Sequence, residues 1–193
     1  MSTRRESNLD PFKVYKFFAH LFSYPERGEE FFKNLERFYP FDDLTPLEEL
    51  KRIPFEELQA EYTSLFVARY GGVPCKPYES FFSAEKTLMG GAAFDTAKYY
   101  ELFGLQLPPG EMPDAVYLQL DFAAFLVKLL EESTDPEDRK KIALLYRDFF
   151  KKHILWMEKF ADCIVENSSL EPLKVFADKF KEFLREERKR LKL

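Results

Sequence analysis

The sequence is poor in the residues that usually build metal centres and nucleotide-binding loops. Its 193 residues include two cysteines, two histidines and seven glycines. Cys75 and Cys163 lie far apart, and neither has a second thiol or a histidine beside it, so we expect neither a disulfide framework nor a zinc site. The glycines form no dinucleotide-binding or phosphate-binding motif. We therefore predict no metal, no cofactor and a reducing compartment.

Long apolar runs and a basic overall charge are also absent. No uninterrupted apolar stretch is long enough to span a membrane, and none follows Arg4 and Arg5 as a secretory signal would. We therefore expect a cytoplasmic protein without stable membrane insertion. The formal net charge is −5, and basic residues concentrate at 185–193, which we interpret as a solvated helix end. Nucleic acid is thus not an expected partner.

What is present is helical periodicity. Asp10-Pro11, Asp135-Pro136 and Ser168-Ser169 are typical helix starts, and each precedes apolar residues at helical spacing. Between the predicted helices, the stretches 71–80 and 104–113 are rich in glycine or proline and read as loops. No alternating pattern bounded by hairpin turns predicts a sheet. We predict an all-α protein, a single domain over 1–193, built as a bundle of about nine helices.

Two helices of this bundle matter for function. The segment 114–130 is almost wholly apolar and predicts a central buried helix. The apolar stripe that starts near Ile142 continues in phase to about Glu166, which predicts one long helix that includes His153. His153 and His20 both lie within apolar helical patterns, so we interpret them as structural histidines. Because the sequence contains no recognisable catalytic motif, we expect the protein not to be an enzyme.

Aromatic residues and a run of carboxylates suggest a binding surface. The chain has 22 Phe and 10 Tyr, side chains that suit a groove for apolar peptide segments. Between Lys98 and Lys128 there is no positive charge, and helical spacing would place Asp114 and Asp121 on one stripe with Tyr117 between them. Uncompensated carboxylates there would suit a cationic peptide. The alternative is that Asp114 caps the helix and Asp121 marks its solvent side.

At these residues the sequence resembles the TorD/DmsD/NarJ family of redox-enzyme maturation chaperones, over about residues 54–188. Four blocks carry the resemblance in consistent order: Glu61-Tyr62, Leu65-Phe66 and Pro77-Tyr78-Glu79-Ser80; Leu88-Met89-Gly90 with Tyr99 and Phe103-Gly104-Leu105; Pro113-Asp114; and Phe150 with His153, Leu155 and Trp156. Two family positions differ, because Ala115 replaces a histidine and Gln119 replaces a glutamate. In relatives those two positions help to form the peptide pocket.

The resemblance implies a chaperone that binds the twin-arginine signal peptide, or an equivalent N-terminal segment, of a molybdopterin oxidoreductase catalytic subunit. The residues expected to bind the peptide are Asp114, Asp121, Tyr117, Tyr78, Glu79, Ser80, Phe82, Phe66 and Gly90. Core packing and loop geometry are the alternative roles for the groove positions. Two other functions stay open: docking on the mature part of a reductase subunit, as NarJ-like assembly factors do, and a small enzyme of unknown class. The chain could also form a homodimer.

Overall fold

The computed structural model describes residues 9–83 and 90–193, and the regular secondary structure of this part of the chain is helical. Ten α-helices follow one another: α1 Pro11–Phe22, α2 Gly28–Phe38, α3 Thr45–Arg52, α4 Phe55–Tyr62, α5 Glu79–Phe82, α6 Gly91–Leu102, α7 Val116–Glu132, α8 Pro136–Phe149, α9 Met157–Asn167 and α10 Glu171–Arg190. All but the four-residue α5 have eight or more residues. The all-α prediction is confirmed. Leu88 and Met89, which belong to the second block of the family resemblance, lie outside the described residues.

Helix starts follow the predicted caps in two of three cases. The carboxylates of Asp10 and Asp135 accept backbone hydrogen bonds at the starts of α1 and α8, and a proline follows each. The prediction that Ser168-Ser169 directly caps the last helix is wrong. Helix α10 begins two residues later at Glu171, and the carboxylate of Glu61 instead accepts hydrogen bonds from both serines.

Two π-helical turns lie where plain helices were expected. Thr63–Val67 extends α4, and Phe150–Ile154 extends α8. The long helix predicted to run to about Glu166 is therefore divided: α8 ends at Phe149, and α9 begins at Met157. The predicted stripe still faces inward, because Phe149, His153 and Phe160 are all buried.

Aromatic rings fill the core between the first and last helices. Helix α1 packs against α7 and α2, and α10 packs against α9 and α3. The rings of Phe18 and Phe180 are 4.5 Å apart, and those of Phe22 and Phe160 are 5.2 Å apart. Edge-to-face and tilted ring pairs of this kind add to the burial of apolar area. The two ends of the described chain are thus joined through one aromatic core.

The basic end of α10 is more than a solvated helix end. Glu187 is 3% exposed, and its carboxylate accepts hydrogen bonds from the Tyr146 hydroxyl and from Arg190. Burial beside Glu187 raises the pKa of Tyr146 well above its usual value, so the phenol stays protonated as a donor. The prediction of a fully solvated end is therefore wrong for these residues.

Membrane-spanning helices and β-strands are both absent from residues 9–83 and 90–193. No helix there is long and apolar enough to cross a bilayer. The only β-type pairing found there is an isolated antiparallel bridge between Tyr78 and Ala115. This bridge fixes the loop before α5 against the start of α7.

Candidate functional site

An open groove of about 530 Å³ runs beside the start of α7. We call it the aromatic groove, because six of its lining residues are aromatic: Phe22, Tyr24, Phe66, Tyr78, Phe81 and Tyr117. Charged side chains from three different segments also line it: Glu26, Lys76 and Glu111. Its volume lies in the range of ordinary ligand sites. The groove thus combines apolar faces with a few charged groups.

One wall of the groove is formed by residues 73–78, which lie within the stretch 71–80 that the sequence predicted as a loop. Gly71 and Gly72 have φ of 89° and 107°, a backbone conformation that favours glycine, so the chain can turn there. The segment is then pinned at two places. The Cys75 amide donates to the carbonyl of Leu65, and the Val116 amide donates to the carbonyl of Pro77.

A disulfide bond pins the same wall to α9. Cys75 and Cys163 are bonded, and their Cα atoms lie 5.7 Å apart. The expectation that the chain has no disulfide is therefore wrong. Sequence spacing missed the pair because the two residues meet only when α9 packs behind the groove wall. Within the described residues, no group of histidine, cysteine and carboxylate side chains is placed to hold a metal ion.

The carboxylates of Asp114 and Asp121 do not share a stripe, contrary to the prediction. Asp114 precedes α7, is 1% exposed and accepts hydrogen bonds from the backbone and hydroxyl of Ser80. Asp121 lies on α7 and forms an ion pair with Lys16 of α1 at 2.6 Å. Both carboxylates therefore have partners within the chain, and neither lines the aromatic groove.

A buried polar cluster lies among α5, α6, α7 and the second π-turn. Glu79 accepts from the Gln119 amide at 2.6 Å and lies 2.9 Å from Nδ1 of His153. The Trp156 indole donates to Gln119, and Thr96 contacts both Gln119 and His153. Every described buried polar side-chain atom has a hydrogen-bond partner, as a stable buried cluster requires.

This cluster explains one departure from the family pattern. Gln119, which replaces the family glutamate, is fully buried and links Glu79 to Trp156. Ala115, which replaces the family histidine, is also fully buried and pairs with Tyr78. In this chain Ala115 therefore pairs with a groove residue, whereas Gln119 belongs to the buried polar cluster.

The nine predicted peptide-binding residues therefore fall into two sets. Phe66, Tyr78 and Tyr117 line the aromatic groove. The others lie elsewhere: Asp114, Glu79, Ser80 and Gly90 are buried, Phe82 packs on Trp156 and Phe160, and Asp121 pairs with Lys16. Peptide binding by any of them stays a prediction. The sequence reasoning missed Glu26, Lys76 and Glu111, whose position on one groove only the fold reveals.

Tyrosine hydroxyls and a carboxyl group lie close together in the groove. The Tyr117 hydroxyl donates to one oxygen of Glu111. Burial and this carboxylate raise the pKa of Tyr117, and burial together with Glu111 and Asp114 raises that of Tyr78. Both phenols therefore stay neutral at ordinary pH. The groove can thus offer neutral aromatic faces beside the carboxyl group of Glu111.

Comparison with known proteins agrees with this architecture. The family model for the nitrate reductase delta subunit matches residues 24–162, which is most of the chain. The chain belongs to this family. It is the NarJ/TorD-type family of redox enzyme maturation chaperones, so the resemblance found in the sequence is confirmed. No curated protein sequence matches the chain at a significant level.

One solved structure matches nearly the whole of this chain. It is the crystal structure of a protein from Archaeoglobus fulgidus that is described as a redox enzyme maturation protein. The two chains are 31% identical, with a TM-score of 0.64, and the match covers 90% of this chain and 93% of that one. Both comparisons identify the chain as a redox enzyme maturation chaperone.

Proposed function

We propose that this family member is a cytoplasmic chaperone that holds the twin-arginine signal peptide, or an equivalent N-terminal segment, of a molybdopterin-containing oxidoreductase subunit. The peptide would lie in the aromatic groove until cofactor insertion is complete. The observation that carries the proposal is the groove itself, which combines six aromatic rings with the carboxylates of Glu26 and Glu111. The rings suit the apolar part of such a segment, and the carboxylates suit its arginines.

The openness of the groove supports reversible binding. Five of its six rings are at least partly exposed, with Phe22 the buried one, and Tyr24 is 44% exposed. A chaperone must release its client, and a partly hydrated groove gives modest affinity because less apolar area is buried and more polar groups stay solvated. The acidic net charge of −5 also favours encounter with a cationic segment.

The family name favours a second candidate function, docking on the mature part of a nitrate-reductase-like subunit. The matching model describes nitrate reductase delta subunits, and both family pocket positions are buried here as Ala115 and Gln119. Capture of a client subunit with and without its signal peptide separates the two functions. Equal capture of both forms would favour docking on the mature subunit.

A matched pair of tyrosine variants tests the role of the groove. Tyr24 lines the groove, whereas Tyr70 is fully exposed and does not line it. Truncating an interface aromatic commonly costs about 1–2 kcal/mol, so Tyr24→Ala should weaken peptide binding about fivefold to thirtyfold. Tyr70→Ala should leave binding unchanged. The measurement is calorimetry with a twin-arginine signal peptide and with its Lys-Lys variant.

The outcome that contradicts this proposal is equal affinity in wild type and Tyr24→Ala, with both proteins folded by thermal melting. Absence of any peptide binding to the wild type would contradict it as well. A weaker response to the Lys-Lys peptide would support recognition by Glu26 and Glu111, since arginine can make paired hydrogen bonds to a carboxylate and lysine cannot.

A further inference from the structure

Lys76 occupies an unusual place among the lysines of this chain. It lies half-buried on the wall of the aromatic groove, between Cys75 and Pro77. Its ammonium group lies 4.1 Å from the centre of the Phe81 ring, within cation–π distance. The ring thus holds the side chain at the groove surface.

No carboxylate neutralises this ammonium group in residues 9–83 and 90–193. Lys16, Lys152 and Lys181 each form an ion pair with an aspartate at 2.6–2.9 Å. Lys76 has no such partner within 4.0 Å there, and no oxygen of the described residues accepts a hydrogen bond from it. An ammonium group has three donors. Since a ring face satisfies none of them as an oxygen would, they are available to a ligand.

An acidic side chain, Glu111, lies elsewhere in the same groove. Glu111 accepts a hydrogen bond from Tyr117 through one oxygen, and its other oxygen has no partner among the described residues. Glu111 and Lys76 both line the groove but do not form an ion pair with each other. The groove therefore presents a separated positive and negative charge to whatever binds there.

We propose that Lys76 is a specificity-determining residue: it binds an aspartate or glutamate side chain of the client segment, while Glu111 binds a cationic side chain of that segment. This inference rests on the proposed function of the groove. A carboxylate can approach the ammonium group without displacing it from Phe81, because the ring covers only one side of it. A second arginine at that place would be repelled. The groove thus selects the order of charges in its client as well as an apolar segment.

Substituted peptides test this selection. A twin-arginine peptide with an apolar segment is prepared with Glu, Gln or Lys at each successive position, and binding is measured by fluorescence anisotropy. For the wild type we expect one position where Glu binds about tenfold more tightly than Gln and Lys binds less tightly than Gln. The Lys76→Met variant should lose this preference, and Lys76→Glu should reverse it.

A second lysine over a ring supplies the matched control. Lys179 lies 4.9 Å from the centre of the Phe41 ring and does not line the groove. Lys179→Met should keep the full preference for Glu, and thermal melts should show that both methionine variants are folded.

The outcomes separate the two claims. If no peptide binds the wild type, the proposed function itself fails. If peptides bind but Glu, Gln and Lys are equivalent at every position, the inference about Lys76 is wrong and the proposed function stands. Retention of the Glu preference in Lys76→Met would also overturn the inference.

Discussion

Removal of the Cys75–Cys163 bond should lower stability substantially. The bond joins residues 88 positions apart. In the chain-entropy description, closing a loop of this length restricts the unfolded chain by about 4–5 kcal/mol, and measured effects are commonly about 2–4 kcal/mol. For a chain of this size, about 1 kcal/mol corresponds to roughly 2–4 °C in Tm. We therefore expect a Cys75→Ala, Cys163→Ser variant to melt about 4–16 °C below the wild type.

The two cysteine positions require different replacement residues. Cys75 is fully buried, so alanine is chosen there to avoid burying an unpaired hydroxyl, whereas Cys163 is partly exposed and tolerates serine. Thermal and urea melts are run with and without dithiothreitol. The reductant should lower the Tm of the wild type towards that of the variant and leave the variant unchanged.

The same bond should matter for the groove. Val73 and Lys76 flank Cys75 and line the groove, so opening the bond loosens one of its walls. Peptide affinity should fall in the variant, and only partly, because hydrogen bonds at Cys75 and Pro77 still hold the segment. The reasoning is refuted if oxidised and reduced wild type have the same Tm while mass spectrometry shows that the reductant has freed both thiols.

Two further predictions concern carboxylates and pH. Asp114→Ala should lower the free energy of unfolding in urea by about 2–4 kcal/mol, because it leaves the buried amide and hydroxyl of Ser80 without their acceptor. Asp121→Ala should lower it by less than about 1 kcal/mol, because the ion pair of Asp121 with Lys16 is half-exposed. Equal losses of stability in the two variants would contradict these placements. Burial, and then Lys16, lower the pKa of His20 below 6.5, so the unfolded state binds more protons and stability should fall as pH drops below about 7. His20→Gln should flatten this slope below about pH 7, and an unchanged slope would exclude His20 as its source.

The helices could be predicted because their signals are local. Asp10-Pro11 and Asp135-Pro136 cap helices through contacts within a few residues, and apolar spacing identifies the buried faces. The π-turns are a different case. An extra residue in a turn changes hydrogen bonding without changing composition, so the stripe around His153 read as one continuous helix.

The site was only partly predictable for the opposite reason, since its contacts are long-range. Phe66 and Tyr78 were found through the family resemblance and Tyr117 through helical spacing, and all three line the groove. Asp114 was misplaced because helical spacing was extended past the true start of α7 at Val116. The partner of Asp121 is Lys16, 105 positions away, and no local pattern indicates such a pair.

The π-turn at Phe150–Ile154 holds one more residue than a turn of regular helix would. Because the wider turn takes up this extra residue, the helix faces on either side of it stay aligned, and Phe149, His153 and Phe160 are all buried. Deleting one residue here would restore a regular helix without turning α9, so Cys163 would still face Cys75. Among homologous sequences, single-residue gaps should therefore be more frequent in this short stretch than within α8 or α9, where each lost residue turns the chain by about 100°.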